Sequence, residues 1–263
     1  TRTDSGFHLA FNRAVDGSVL NLYSAADAPM GDADLVLSRA GDAVPVRGSL
    51  VLDSDRQGAT FIRSYGVLAA GNYTVTLASR ADGWRDSAGR LLDGDGNGVV
   101  GDNYVSSFTV DNSSSAILSV GEVMTGPGLA LNVPAATGVG LPVTISNGTG
   151  ATQIAFKLAC DPTLFAVSDV VLGSALSGAS LLKSIDSAAG EITVTVNLTA
   201  PLASAAAVDV VRIIGTVPMA AIANYGAKEV LDLHDVSLNG GALPVRVDDG
   251  LHVNAYIADT NGI

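Results

Sequence analysis

The sequence predicts an all-β protein built as two consecutive antiparallel β-sandwiches. Apolar residues recur at every second position in short runs, as in "YTVTLAS" (73–79), which marks half-buried strands with one wet face. Turn signals such as "VDGS" (15–18), "AGD" (40–42), "LAAGN" (68–72) and "RADG" (80–83) punctuate those runs at short, regular spacing. Long apolar stripes of helical period bounded by caps are absent. With 263 residues, 48% of them hydrophobic, the chain can bury a substantial core.

The first sandwich is expected over 1–110. In "GFHLAFN" (6–12) Phe7, Leu9 and Phe11 point inward; in "YTVTLAS" Tyr73, Val75 and Leu77 do so while Thr74 and Thr76 face out. Trp84, in "ADGWRDSAG", is expected to be a lid on the core, with carbohydrate stacking as the alternative. Residues 111–116, "DNSSSA", read as a short linker. The second sandwich is expected over 117–254. Its strands show in "AILSVGEV" (116–123), "LPVTISN" (141–147), "TQIAFKLAC" (152–160), "EITVTVNLT" (191–199) and "LPVRV" (243–247). In "VLDLHDVSLNG" (230–240) the apolar parity switches between Leu233 and Val236, which predicts a bulge or a strand changing sheets. Residues 255–263 form a C-terminal stub. The chain starts directly on a strand pattern at "TRTDSGF", so a fragment or processed form is expected.

The net charge of −12 repels nucleic-acid phosphates and disfavours an anionic membrane surface. The most apolar stretch, 207–223, is interrupted by Asp209, Arg212 and Pro218 and is not expected to span a bilayer. A single cysteine rules out an intramolecular disulfide, and Cys160 shares its strand face with Ile154, Phe156 and Leu158 as a buried small residue.

Chemistry concentrates in "LLDGDGNGVVGDNY" (91–104). Calcium takes several oxygen ligands from a sharply turning backbone, hence acidic or amide residues at alternate positions with glycines between them. Asp93, Asp95 and Asn97 occupy positions 1, 3 and 5 of such a loop, and Gly98 falls on its glycine. Val99 can offer its carbonyl at position 7. Position 12 is Tyr104 instead of a bidentate Glu, and Asp102 is the nearest carboxylate able to close the shell. A calcium site of the weak extracellular kind, about 10⁻⁴–10⁻³ M, is therefore expected. The alternative is a hairpin of merely solvated acids. Asp259 and Asn261 begin a similar pattern that Ile263 breaks, so a frayed terminus is expected there.

Catalytic motifs are missing. His8, His234 and His252 have no metal-ligand spacing, and His8 and His252 fall on outward strand parity. No nucleophile elbow, phosphate loop or zinc-protease motif is present. The acidic pairs Asp53/Asp55 and Asp248/Asp249 read as surface turns. A non-enzymatic protein is expected.

Two resemblances emerge. Residues 4–110 resemble bacterial Ig-like domains of large surface proteins, through "SGFHLAFNRAVD", "LNLY", "DADLVL", "VRGSLVLD", "LAAGNYTVTLAS" and "DSAGRLLDGDGNG". Residues 118–254 resemble cohesins, through "LSVGEV", "GLPVTISNGTG", "IAFKLACDPTLFAVSDVVLG" and "AGEITVTV", with Cys160 in place of an aromatic residue. The second resemblance implies a jelly-roll sandwich that docks a dockerin partner, and "YIADTNG" (256–262) is similar to the calcium loop that opens a dockerin. Together they imply a non-catalytic adhesion or assembly segment of a bacterial extracellular or cell-surface protein, rigidified by calcium. The alternatives are a dedicated dockerin receptor and an ancillary carbohydrate-binding region of a secreted hydrolase.

Overall fold

The computed structural model describes residues 1–22, 31–135, 137–203 and 205–257. The chain is all-β and divides into two compact units, the first spanning Thr1–Ser64 and Leu68–Ser113, the second running on from Ser114.

The first unit packs two three-stranded sheets. One holds β1 (Gly6–Ala10), β4 (Gly58–Arg63) and β3 (Gly48–Leu52) in that order; the other holds β2 (Leu35–Arg39), β5 (Gly71–Leu77) and β6 (Tyr104–Val110). All pairings are antiparallel. The alternation read in "YTVTLAS" holds: Tyr73, Val75 and Leu77 are buried and the threonines between them are not. Aromatic rings fill the space between the sheets. Phe7 stacks on Phe61 at 5.3 Å and Tyr73 on Phe108 at 5.2 Å, geometries that add to area burial. Trp84 is 1% exposed, and its indole N–H donates to the Asp34 carbonyl at 2.9 Å. It is part of the core, as expected. Asp34 itself is fully buried. Its carboxylate accepts from Asn21 N at 2.7 Å and pairs with Arg80 at 2.7 Å, while burial pushes its carboxyl above the usual range.

The second unit packs a six-stranded sheet on a five-stranded one. Its strands are β7 (Ala116–Val120), β8 (Val123–Met124), β9 (Leu141–Ser146), β10 (Gln153–Ala159), β11 (Ala166–Leu172), β12 (Ser180–Asp186), β13 (Glu191–Asn197), β14 (Val208–Thr216), β15 (Lys228–Leu238), β16 (Val245–Asp248) and β17 (Gly250–Val253). The six-stranded order is β12-β13-β10-β15-β17-β8, and the five-stranded order is β11-β14-β9-β7-β16. The stretch "AILSVGEV" is thus two strands in two different sheets, and so is 245–253. These first and last segments run parallel to one another, β16 on β7 and β17 on β8, in an otherwise antiparallel fold. The parity switch in β15 is a bulge: Lys157 faces His234 but Ala155 faces Ser237, and Asp235 sits at φ 50°. Cys160 is buried among core residues. Its thiol points at the Phe165 and Gly190 carbonyls, and burial pushes its pKa up to about 12.

His252 departs from expectation. It is fully buried, with Nδ1 2.7 Å from Glu229 Oε1 and Nε2 3.4 Å from the Thr125 carbonyl. Alternation continued from Val245 and Val247 puts His252 outward, but the chain breaks at Asp249 and changes sheets. His252 then pairs with Glu229, which shares the core-facing parity of Leu231 and Leu233. The Glu229 carboxylate is held further by Asp161 N at 2.5 Å. Asp248 and Asp249 likewise are buried and not surface-turn residues; Asp249 accepts from Leu233 N at 3.0 Å. No helix among the described residues is long and apolar enough to cross a membrane.

Candidate acidic loop and interaction face

The acidic loop follows from its own side chains. Asp93 accepts from Asn97 N at 3.1 Å and Gly98 N at 2.9 Å, winding the backbone around its carboxylate. Asp95 accepts from the same Asn97 N at 3.0 Å, and Asn97 Oδ1 accepts from Val99 N at 2.7 Å, each an Asx-type turn two residues long. Gly98 takes φ 88°, a left-handed conformation that favours glycine. Two carboxylate oxygens therefore meet at one N–H, and the loop presents hard oxygen donors from Asp93, Asp95 and Asn97 to solvent. Asp102 is brought alongside by a parallel backbone bridge to Asp93, with Gly94 N donating to the Asp102 carbonyl at 3.1 Å. Its side chain stays exposed, as does Val99. Among the described residues no three or more His, Cys, Asp or Glu side chains are gathered as a metal-ligating cluster. The donors the loop carries are oxygens only, the type that calcium takes. Asp259 and Asn261 lie outside the described residues.

In the second unit the outer face of the six-stranded sheet is a ruled platform. Strand register puts Ser180, Asn197 and Gln153 in one row. Leu182, Thr195, Ala155 and Ser237 form the next, and Ser184, Thr193, Lys157 and His234 the third. The inward residues between them, Val194, Val196, Phe156 and Leu158, are buried. Small side chains dominate the middle row, so the surface is shallow, and Leu182 stands on it 64% exposed. A charged cluster closes one side. Lys157 lies 3.2 Å from Asp235 and 3.6 Å from Glu191, and the other Glu191 oxygen lies 3.5 Å from His234 Nε2. His234 Nδ1 lies 3.4 Å from Asp232. The hydrogen bond to Asp235, and then the Glu191 charge, hold the Lys157 ammonium above its usual pKa. Exposed pairs of this kind contribute little stability. Two carboxylates around Lys157 and a third, Asp232, against His234 leave the cluster negative. The signal for this face was present in "EITVTVNLT", whose Thr193, Thr195 and Asn197 mark the wet parity of β13; the partners they share it with come from strands far away in sequence.

No family model matches the chain, and no curated protein matches it. Solved structures similar to it include a non-cellulosomal cohesin from Archaeoglobus fulgidus, at 14% identity and a TM-score of 0.44, covering 54% of this chain and 91% of that one. Another is the seventh ScaB type I cohesin from Pseudobacteroides cellulosolvens, at 18% identity and a TM-score of 0.42, covering 56% and 96%. A type I cohesin–dockerin complex from Clostridium thermocellum is similar at 15% identity and a TM-score of 0.42, covering 54% and 99%.

Proposed function

We propose that the chain is a non-catalytic assembly segment of a bacterial extracellular or cell-surface protein. Its second unit docks a protein partner through the outer face of the six-stranded sheet, and its first unit is a spacer rigidified by calcium at the acidic loop. One observation carries the docking reading: the register of β12, β13, β10 and β15 puts small polar residues, an exposed Leu182 and a charged cluster on a single shallow surface. An apolar anchor ringed by polar groups is the anatomy of a binding interface. The cohesin resemblance of 118–254 supplies the partner class, a dockerin-like module. The negative cluster of Glu191, Asp232 and Asp235 asks for basic groups on that partner.

Calorimetric titration of the intact chain with a panel of dockerin modules tests this. At least one module binds with Kd at or below about 10 μM in calcium. Leu182→Asp and Glu191→Lys each weaken that binding at least about thirtyfold, the ~2 kcal/mol of an interface hot spot. Silence across the panel, or unchanged binding by both variants, removes the docking reading.

A further inference from the structure

His234 is the one histidine of the second unit that solvent reaches; His252 is fully buried, and His8 belongs to the first unit. It stands on the outer face of the six-stranded sheet, opposite Lys157 in the register of β10 and β15. In a regular strand its neighbour Asp235 would point to the other face. The bulge in β15 changes that: Asp235 reaches the same lysine, 3.2 Å from its ammonium.

Carboxylates stand on both sides of the ring. Nε2 lies 3.5 Å from Glu191 of β13, and Nδ1 lies 3.4 Å from Asp232, two residues back on β15. Asp186 of β12 is in register with Glu191 and extends the same acidic row. Lys183 of β12 points away, to Asp169 on the other sheet. One lysine against Glu191, Asp232 and Asp235 gives the cluster a net charge of −2 with a neutral imidazole and −1 with a protonated one.

Imidazole is the side chain that ordinarily changes charge between about pH 5 and 8. Its two states treat this cluster differently. A neutral ring has one N–H and can satisfy one of the flanking carboxylates; an imidazolium has two and can turn to Glu191 and Asp232 at once. Protonation therefore both lowers the negative charge of the face and engages the oxygens that basic groups of a partner would meet. We infer that His234 makes docking pH-dependent, so that binding tightens as pH rises and loosens on acidification. This regulation rests on the docking reading proposed above. The cluster is partly exposed and screened by salt, so the effect is modest, about three- to tenfold at low ionic strength.

The intact chain is titrated calorimetrically, in calcium, with the dockerin modules of the panel at about pH 5.5 and about pH 8.5. Parent, His234→Gln and His234→Lys are compared at each pH, so that titration of the module itself, common to all three, cancels. The ratio of parent Kd to His234→Gln Kd rises at least about threefold from the higher pH to the lower. His234→Lys, charged throughout, binds at least about threefold more weakly than His234→Gln at the higher pH. A parent-to-His234→Gln ratio that stays constant, or a His234→Lys variant that binds as tightly as His234→Gln, overturns the regulation and leaves docking standing. Absence of binding by every module at both pH values overturns docking and the regulation together.

Discussion

Asp16 accepts from the Ser18 hydroxyl at 2.6 Å and from Ser18 N at 3.1 Å, and Arg85 clasps its other oxygen at 2.7 Å. The Ser18 bond first, and Arg85 next, lower its carboxyl from the usual 3.8 to about 2. A carboxyl whose pKa falls on folding stabilises the native state fully above its unfolded pKa and loses that contribution as pH falls through the folded one. Stability should therefore drop between pH about 4 and about 2 through this group, and Asp16→Asn should flatten that part of the curve while lowering the denaturation midpoint at pH 6. Urea melts of both proteins across that range check it. The acidic loop gives a second residue-scale outcome. Chelated protein should melt higher on adding millimolar calcium, and Asp93→Ala/Asp95→Ala should lose the response; an unchanged melt in the parent removes the metal from the account. Single residues were legible where a local pattern decided them, as for Cys160 and Trp84. Buried carboxylates were not. Asp34, Glu229 and Asp249 are held by partners 46, 23 and 16 positions away in sequence, and no local window shows such pairs.

At the scale of the element, the parity switch in β15 was readable because a bulge shifts alternation within one strand. The breaks at 121–122 and at Asp249 were not, because each is set by a strand from the opposite end of the second unit. Where the two ends run parallel, Gly250 lies against the first strand: a Cβ there would sit 2.6 Å from the Gly121 carbonyl oxygen and 2.9 Å from that of Val120. Backbone cannot yield as a flexible side chain can. Gly250→Ala should cost about 1–3 kcal/mol, with the loss in the unfolding of the second unit. A melt within about 0.3 kcal/mol of the parent would show that the crossing tolerates separation. Strand β12, "SLLKSID", escaped the alternation test for a different reason. It is an edge strand with only Leu181 and Ile185 turned toward the core, neither fully buried, so its pattern is mostly polar.

For the molecule as a whole, fold class was legible because period-2 alternation and turn chemistry are local, while the candidate interface was not, because it is a property of register. Thr195, Ala155 and Ser237 become neighbours only after three strands have paired. The same register makes the docking reading sharp, since it separates the outer face of the six-stranded sheet from that of the five-stranded sheet, where Pro142, Thr144 and Ser146 point out from β9. Amide and methyl chemical-shift mapping of the labelled chain with a bound dockerin module tests this most directly. The account predicts perturbations confined to Leu182, Thr193, Thr195, Ala155, Lys157, His234 and their row neighbours. Perturbations centred on β9, β11 and β14, or binding that leaves Leu182 and Lys157 unmoved, would contradict it.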